Sequence, residues 1–225
     1  MNEILKELNR RFDHAALKAD IDEKGIIKLC EEARQFDFFA VAVNPVWVKI
    51  AFQQLQGTDT KVVSTAGFPL GANRTDIKTA EAAKAVGDGA SEIDMVANIG
   101  WIKSGEFSKV TQEISEIRKS IPFNVFLKVI IEASLLSLQE QINSTKSVIN
   151  GGAQFVKTGT GFSGDVTVKQ VGTLFKAANG QIEVKASGGI RTLGQCRKLL
   201  EAGASRLGSS STIQIMHELQ QVKTA

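Results

Sequence analysis

The chain has 225 residues and a mass of 24.2 kDa, with 43% hydrophobic and 23% charged residues, which excludes a disordered chain, a coiled coil and a pair of ordinary domains. A net charge of +3, spread over scattered basic residues, suits small anions and offers no patch for nucleic acid. Twelve Phe and two Trp accompany no Tyr, so no phenol can serve as acid, base or hydrogen-bond partner.

At the amino terminus, MNEILKELNRRF is amphipathic and charged rather than a signal core, and no apolar run approaches the ~20 residues that cross a bilayer. A soluble, cytoplasmic protein that engages no membrane is expected. A short strand candidate near 12–17 opens a series of apolar, β-branched runs at 39–44 (FAVAVN), 61–66 (KVVSTA), 92–98 (EIDMVAN), 125–131 (VFLKVII), 154–158 (QFVKT), 183–186 (EVKA) and 205–208 (SRLG). They lack strict alternation, as parallel strands covered on both faces do. Segments with helical period stand between them. Phe107, Val110, Ile114 and Ile117 form one stripe, closing at Pro122. Leu138, Ile142, Thr145 and Ile149 form another, opened by a Ser137/Glu140 capping box and stopped at Gly151 and Gly152. Val171, Leu174, Phe175 and Ala178 line a third that ends at Gly180. Leu193, Cys196, Leu199 and Leu200 line a fourth, capped by Thr192 and ended by Gly203. Cys30 and Cys196 fall on apolar helix faces without paired spacing, and read as core thiols in a reducing compartment.

Eight strand-then-helix units of about 28 residues each predict parallel strands joined by right-handed crossovers. An open doubly wound sheet is the other arrangement of such units. Their regularity favours an α/β fold closed as a (β/α)8 TIM barrel, one compact domain over residues 1–225, with its chemistry at the carboxyl ends of the strands.

Four strands break their apolar rule. Asp94 lies between Ile93 and Met95, Lys128 inside FLKVI, Lys157 after Phe155 and Val156, and Lys185 after Val184. A charge in a barrel strand is costly unless it is paired or used in chemistry, and inward residues at strand ends converge on the barrel axis. A free Lys has a pKa of about 10.4, and attacks a carbonyl only as the neutral amine. A second ammonium and burial bring that value toward neutrality, so two close lysines suggest a nucleophile and its activator. Asp94 is then the proton shuttle of a Schiff-base enzyme that needs no metal. His14 and His217 have no spacing that would bring them together as ligands, and His217 falls in a polar, solvated stretch of the last helix. Loops rich in Gly and hydroxyls follow the last three charged or short strands: Thr158–Gly161, Ala186–Arg191 and Gly208–Thr212. They predict a phosphate seat after strands six, seven and eight.

The strings EIDMVANIG, KVIIE, FVKTGTGF, VKASGGIRT and SRLGSSS, with GFPLGAN at 67–73, closely resemble the deoxyribose-phosphate aldolase family, in order from residue 12 to residue 211. The resemblance implies a class I aldolase on a TIM barrel that reversibly cleaves 2-deoxy-D-ribose 5-phosphate to acetaldehyde and D-glyceraldehyde 3-phosphate. It implies sugar-phosphate and aldehyde substrates, no cofactor, no metal, a role in deoxyribonucleotide catabolism and a homodimer. Lys157 matches the Schiff-base lysine, Lys185 the lysine that lowers its pKa, Asp94 the proton-relay carboxylate, and Lys128 a supporting lysine associated with Asp94. The phosphate seat maps onto Gly161, Gly188, Gly189, Ser210 and Ser211, with Arg191 following in its loop. Thr160 and Asp13 are candidates for substrate contact, a barrel-bottom or surface role for Asp13 being the other reading. The chain departs from the family pattern at Gly159, where a serine is usual and a glycine is expected to loosen the loop. It departs also at Ala15, which lacks a threonine hydroxyl, at Ala42 in place of a frequent cysteine, and in a tail without tyrosine. Those departures keep open a related Schiff-base aldolase with another acceptor, and a phosphosugar-binding barrel with little turnover.

Overall fold

The computed structural model describes residues 3–224; residues 1, 2 and 225, which the single-domain expectation and the tail also include, lie outside it. Among the described residues, eight parallel strands close a barrel in chain order: β1 (Phe12–Ala16), β2 (Ala40–Val43), β3 (Lys61–Ala66), β4 (Glu92–Val96), β5 (Phe126–Ile130), β6 (Phe155–Lys157), β7 (Glu183–Ser187) and β8 (Arg206–Ser209). The helices outside it are α1 (Glu23–Phe36), α2 (Val48–Gln54), α3 (Thr75–Gly87), α4 (Ile99–Lys103), α5 (Phe107–Ser120), α6 (Leu138–Asn150), α7 (Val168–Ala178), α8 (Leu193–Glu201) and α9 (Thr212–Thr224). The closed order excludes the open doubly wound sheet, and the short candidate near 12–17 is a full barrel strand.

Outward strand residues such as Val41, Val43, Ile93, Met95, Leu127, Val129, Val156 and Leu207 pack against helix residues including Leu29, Ile114, Leu174 and Ile215 in one apolar layer. The inner face is divided. On β1–β3 it carries Ala15, Ala40, Ala42 and Val63, with Phe39 packed against them and Asp13 of β1 as the charged exception. On β4–β8 it carries Glu92, Asp94, Lys128, Lys157, Lys185 and Arg206, which reach one another as ion pairs. Small side chains on one wall leave the volume that long charged side chains from the other wall fill. None of the helices among the described residues is long and apolar enough to cross a membrane.

The capping box at Ser137/Glu140 is present, and Thr192/Gln195 and Thr167/Gln170 form two more. The expected stripe on α6 is displaced. Leu138 is 54% exposed; of the expected stripe Thr145 is buried, and the rest of the buried face is Gln141, Ser144, Ser147 and Val148. Gln141 explains the displacement, since its side chain donates to the Ala133 and Leu136 carbonyls at 3.1 and 3.0 Å and satisfies the turn after β5. Phe175 on α7 is also half exposed, with its ring lying where a Cβ on Gly203 would have to sit. Cys30 and Cys196 are buried and unpaired, and burial pushes their thiols up to about 11 and about 12.

A buried ion pair not evident from the sequence joins α3 to α5. Lys78 and Glu113 meet at 2.8 Å with both side chains fully buried. Lys78 also donates to the Val96 carbonyl at 2.8 Å, and Glu113 accepts from the Asn98 amide at 3.1 Å. The pair thereby fixes the chain as it leaves β4, two residues beyond Asp94.

Candidate active site

Parallel register decides which charged side chains become neighbours. Asp94 on β4 is paired with Lys128 on β5, and Lys157 on β6 with Lys185 on β7. Lys157 stands in register with Ile130, two residues beyond Lys128, so it sits one inward step nearer the carboxyl end than Lys128. All three lysines converge on Asp94. Its Oδ1 accepts from Lys128 at 2.9 Å, and its Oδ2 accepts from Lys157 at 2.8 Å and Lys185 at 2.7 Å. Asp13 on β1 closes the ring, taking Lys185 on Oδ2 and Arg206 on Oδ1, the latter at 2.8 Å. Nearer the amino-terminal end, Glu92 Oε2 lies 2.5 Å from Lys128 and 3.5 Å from Arg206, whose guanidinium lies 3.5 Å from the centre of the Phe39 ring.

This cluster has four cations and three anions, all buried. Burial is the largest influence on Lys157, and with the charges of Lys185 and Lys128 it overcomes the opposing pull of Asp94 and brings the amine down to about 8. At neutral pH about a tenth of such a lysine is free amine. Lys185 therefore contributes to the depression, but less than the loss of water does. Lys128 moves the other way. Burial again disfavours its charge, but Asp94, Glu92 and Asp13 together hold it above its usual range. Burial would raise Asp94 as well, yet its three lysines keep the carboxyl well below the usual carboxylate range, and Asp13 is lowered likewise by Lys185, Lys128 and Arg206. Releasing one proton from Lys157 leaves three cations against three anions, so the lysine that yields its proton is the one that balances the barrel interior.

A cavity of about 370 Å³ opens over the cluster. Lys157, Lys185, Asp13, Thr160, Gly161, Gly188, Gly189, Ser210 and Ser211 all line it, whereas Asp94 and Lys128 are buried behind the two lining lysines. Asp13 thus belongs to the interior and not to the surface. Gly188 and Gly189 adopt positive φ of 110° and 67°, and a Cβ on Gly189 would fall 2.0 Å from Asp165 Oδ1. Only glycine lets the backbone lie open to the cavity there. Ser209 donates to the Ile190 carbonyl at 2.6 Å and accepts from the Ser211 amide at 2.9 Å, which leaves Ser210 exposed and Ser211 just ahead of α9. Arg191 also lines the cavity, and is held by Asp165 at 3.1 Å. Thr160 lines the cavity with its hydroxyl committed, donating to Glu132 at 2.5 Å and accepting from the Phe162 amide at 3.1 Å. The loop after Lys157 is held at Thr160, the neighbour of Gly159. The buried Glu132 pins it, and a Cβ at Gly159 would lie 2.7 Å from Glu132 Oε1.

The sequence profile of the DeoC/LacD aldolases matches residues 9–212. The chain belongs to this aldolase family. A deoxyribose-phosphate aldolase of Clostridium kluyveri is 44% identical over 214 residues, covering 95% of this chain and 98% of that protein. Among solved structures, QR15, an aldolase, superposes with a TM-score of 0.92 at 38% identity, over 97% of this chain and 98% of that one. A tetrameric deoxyribose phosphate aldolase from Aeropyrum pernix gives 0.89 at 29% identity, over 96% and 92%.

In this DeoC/LacD aldolase, reasoning from sequence missed Glu92, Arg206 and Glu132. Glu92 shares the inward phase of Asp94 at i and i+2, and Arg206 is in register with Lys185, so alternation carried the signal once the strands were aligned. Lys18, at the mouth of the cavity, gave no such signal. His14 points outward, within 2.8 Å of Glu32 and 2.6 Å of Thr212, while the exposed His217 stands edge-on to Phe36. Among the described residues no group of three or more His, Cys, Asp or Glu side chains is arranged to hold a metal ion.

Proposed function

We propose that this chain is a deoxyribose-phosphate aldolase that reversibly cleaves 2-deoxy-D-ribose 5-phosphate to acetaldehyde and D-glyceraldehyde 3-phosphate through an imine on Lys157. The neutral Lys157 amine attacks C1 of the open-chain sugar, and the carbinolamine loses water to give the iminium. A base takes the proton of the C3 hydroxyl, the C2–C3 bond breaks toward the iminium, and D-glyceraldehyde 3-phosphate leaves. The remaining enamine takes a proton at C2, and water releases acetaldehyde from Lys157. Asp94, bonded to Lys157 and Lys185 through the same oxygen, is the carboxylate that hands protons between these steps, with Lys185 as the partner ammonium.

The observation that carries this reading is a buried lysine, brought down to about 8, that lines a cavity rimmed by Gly161, Gly188, Gly189, Ser210 and Ser211. A phosphate at that rim would meet backbone amides and the start of α9. Asp13 acts through Lys185, which it binds, and Lys128 holds the far oxygen of Asp94. The family resemblance extends the reading to a cytoplasmic enzyme of deoxyribonucleotide catabolism that uses no metal or cofactor and pairs as a homodimer. The test is a retro-aldol assay on 2-deoxyribose 5-phosphate and on unphosphorylated 2-deoxyribose. Cleavage with a clear preference for the phosphate ester, lost in Lys157→Met, is expected. Activity at the parental level in Lys157→Met, or a preference for the unphosphorylated sugar, would overturn it.

A further inference from the structure

Beneath the reacting groups lies a second tier of charge that contacts no part of the cavity. Glu92 and Arg206 are both buried, neither lines the cavity, and they touch each other at 3.5 Å. Each is tied to the upper tier through a different partner. Glu92 holds Lys128 at 2.5 Å, and Lys128 in turn holds Asp94 Oδ1. Arg206 holds Asp13 Oδ1 at 2.8 Å, and Asp13 in turn holds Lys185. Arg206 also feels the charges of Asp94 and Lys128 across the interior, and its other walls are the rings of Phe39 and Phe155, with the guanidinium of Arg10 lying 5.5 Å from the centre of the Phe39 ring. Around Lys157 stand Asp94 of β4, Lys185 of β7 and Lys128 of β5, with Asp13 of β1 reached through Lys185.

Charge flows through these contacts in two opposed ways. Glu92 satisfies Lys128 and so leaves more of Asp94 to Lys157 and Lys185; without it, Lys128 would keep only Asp94 and the more distant Asp13, at 3.9 Å, and would draw more heavily on Asp94, so the ammonium form of Lys157 would lose support. Arg206 competes with Lys185 for Asp13; without it, Asp13 would neutralise Lys185 more fully and the ammonium form of Lys157 would meet less repulsion. We propose that Glu92 and Arg206 are positioning residues that set the proton balance of Lys157 from opposite sides, Glu92 favouring its charged form and Arg206 its neutral form. The inference rests on Lys157 being the imine-forming lysine.

The test follows Lys157 itself. The protein is incubated with acetaldehyde and cyanoborohydride across a pH series, and the rate of adduct formation at Lys157 is read by peptide mass spectrometry for the parent, Glu92→Gln, Arg206→Met, Arg206→Lys and the double variant Glu92→Gln/Arg206→Met. A unit charge at ~10 Å in an effective dielectric of about 20 moves a titration by about one pH unit. The rise of trapping with pH is therefore expected about one unit lower in Glu92→Gln and about one unit higher in Arg206→Met. It should stand near the parent in the double variant, whose charge balance is restored, and in Arg206→Lys, which keeps the charge but not the guanidinium plane. A merely structural role predicts lower amplitudes with unmoved midpoints, and that result, or shifts of the same sign in the two single variants, overturns the proposal. If Glu92→Gln fails to fold, Glu92→Met takes its place, and if Arg206→Met fails, Arg206→Gln does; each makes the same change of charge, so its midpoint must move in the same direction, and an unmoved midpoint overturns the proposal. Absence of any adduct at Lys157 in the parent would instead remove the reading of Lys157, and this inference with it.

Discussion

Replacing Asp94 with Asn keeps its shape and removes the one anion on which three lysines converge, and the account predicts two effects of opposite sense. At 2.8 Å and an effective dielectric of about 20, a unit charge pair is worth roughly 6 kcal/mol, an upper bound; water entering beside the uncharged amide offsets the larger part, and a loss of about 2 kcal/mol, or about 1.5 pH units, is expected for the Lys157 ammonium. Loss of the carboxylate should therefore shift the free-amine form of Lys157 to still lower pH, from about 8 toward about 6.5. Turnover should fall all the same, between about 100-fold and about 10,000-fold, because the group that moves protons between carbinolamine, enamine and products is gone. The assay is a pair of measurements on one preparation: cleavage of 2-deoxyribose 5-phosphate, and the pH dependence of adduct formation with acetaldehyde and cyanoborohydride. A slow enzyme whose lysine is trapped at lower pH than the parent's fits. Turnover within about tenfold of the parent, or a trapping curve displaced to higher pH, would refute the reasoning.

Three further outcomes are expected. In the parent, kcat/KM should climb with pH through about 8 and then level, because the neutral amine is the nucleophile and accumulates above the lowered pKa of Lys157; a profile flat from pH 6 to 9 would contradict that role. Gly189→Ala puts a Cβ against Asp165 at a φ of 67°, so KM for the phosphorylated sugar should rise about tenfold with kcat within about twofold, as competitive inhibition by inorganic phosphate weakens in step. Lys78→Met leaves Glu113 buried without its cation and should cost about 3–5 kcal/mol, read as a fall in melting temperature on the order of 10 °C, most of it recovered in Lys78→Met/Glu113→Leu.

The barrel was legible because its strands are short, apolar and regularly spaced, and because a charge in such a strand contradicts its surroundings. Asp94, Lys128, Lys157 and Lys185 stood out for that reason. Glu92 and Arg206 did not, since each is the first residue of its strand, where a polar side chain is unremarkable until closure turns both ends inward. Asp13, second in a short strand, was ambiguous because nothing in the sequence says which way that strand faces, and the register of β1 with β8 brings it to Lys185 and Arg206. Lys78 and Glu113 lie on helices among solvated charges, and only the packing of α3 on α5 buries them. The face of α6 was misassigned because its buried side is polar: Gln141, Ser144 and Ser147 are covered by neighbouring elements, and Gln141 and Ser147 bond to backbone carbonyls. Hydrophobic period cannot report a polar interface.

The most direct test of the account is the position of the covalent adduct. Acetaldehyde followed by borohydride should leave an ethyl group on Lys157 and on neither Lys185 nor Lys128, because of these buried lysines it is Lys157 that both lines the cavity and is lowered to about 8. An adduct on Lys185 with Lys157 unmodified, in a preparation that cleaves 2-deoxyribose 5-phosphate, would contradict it.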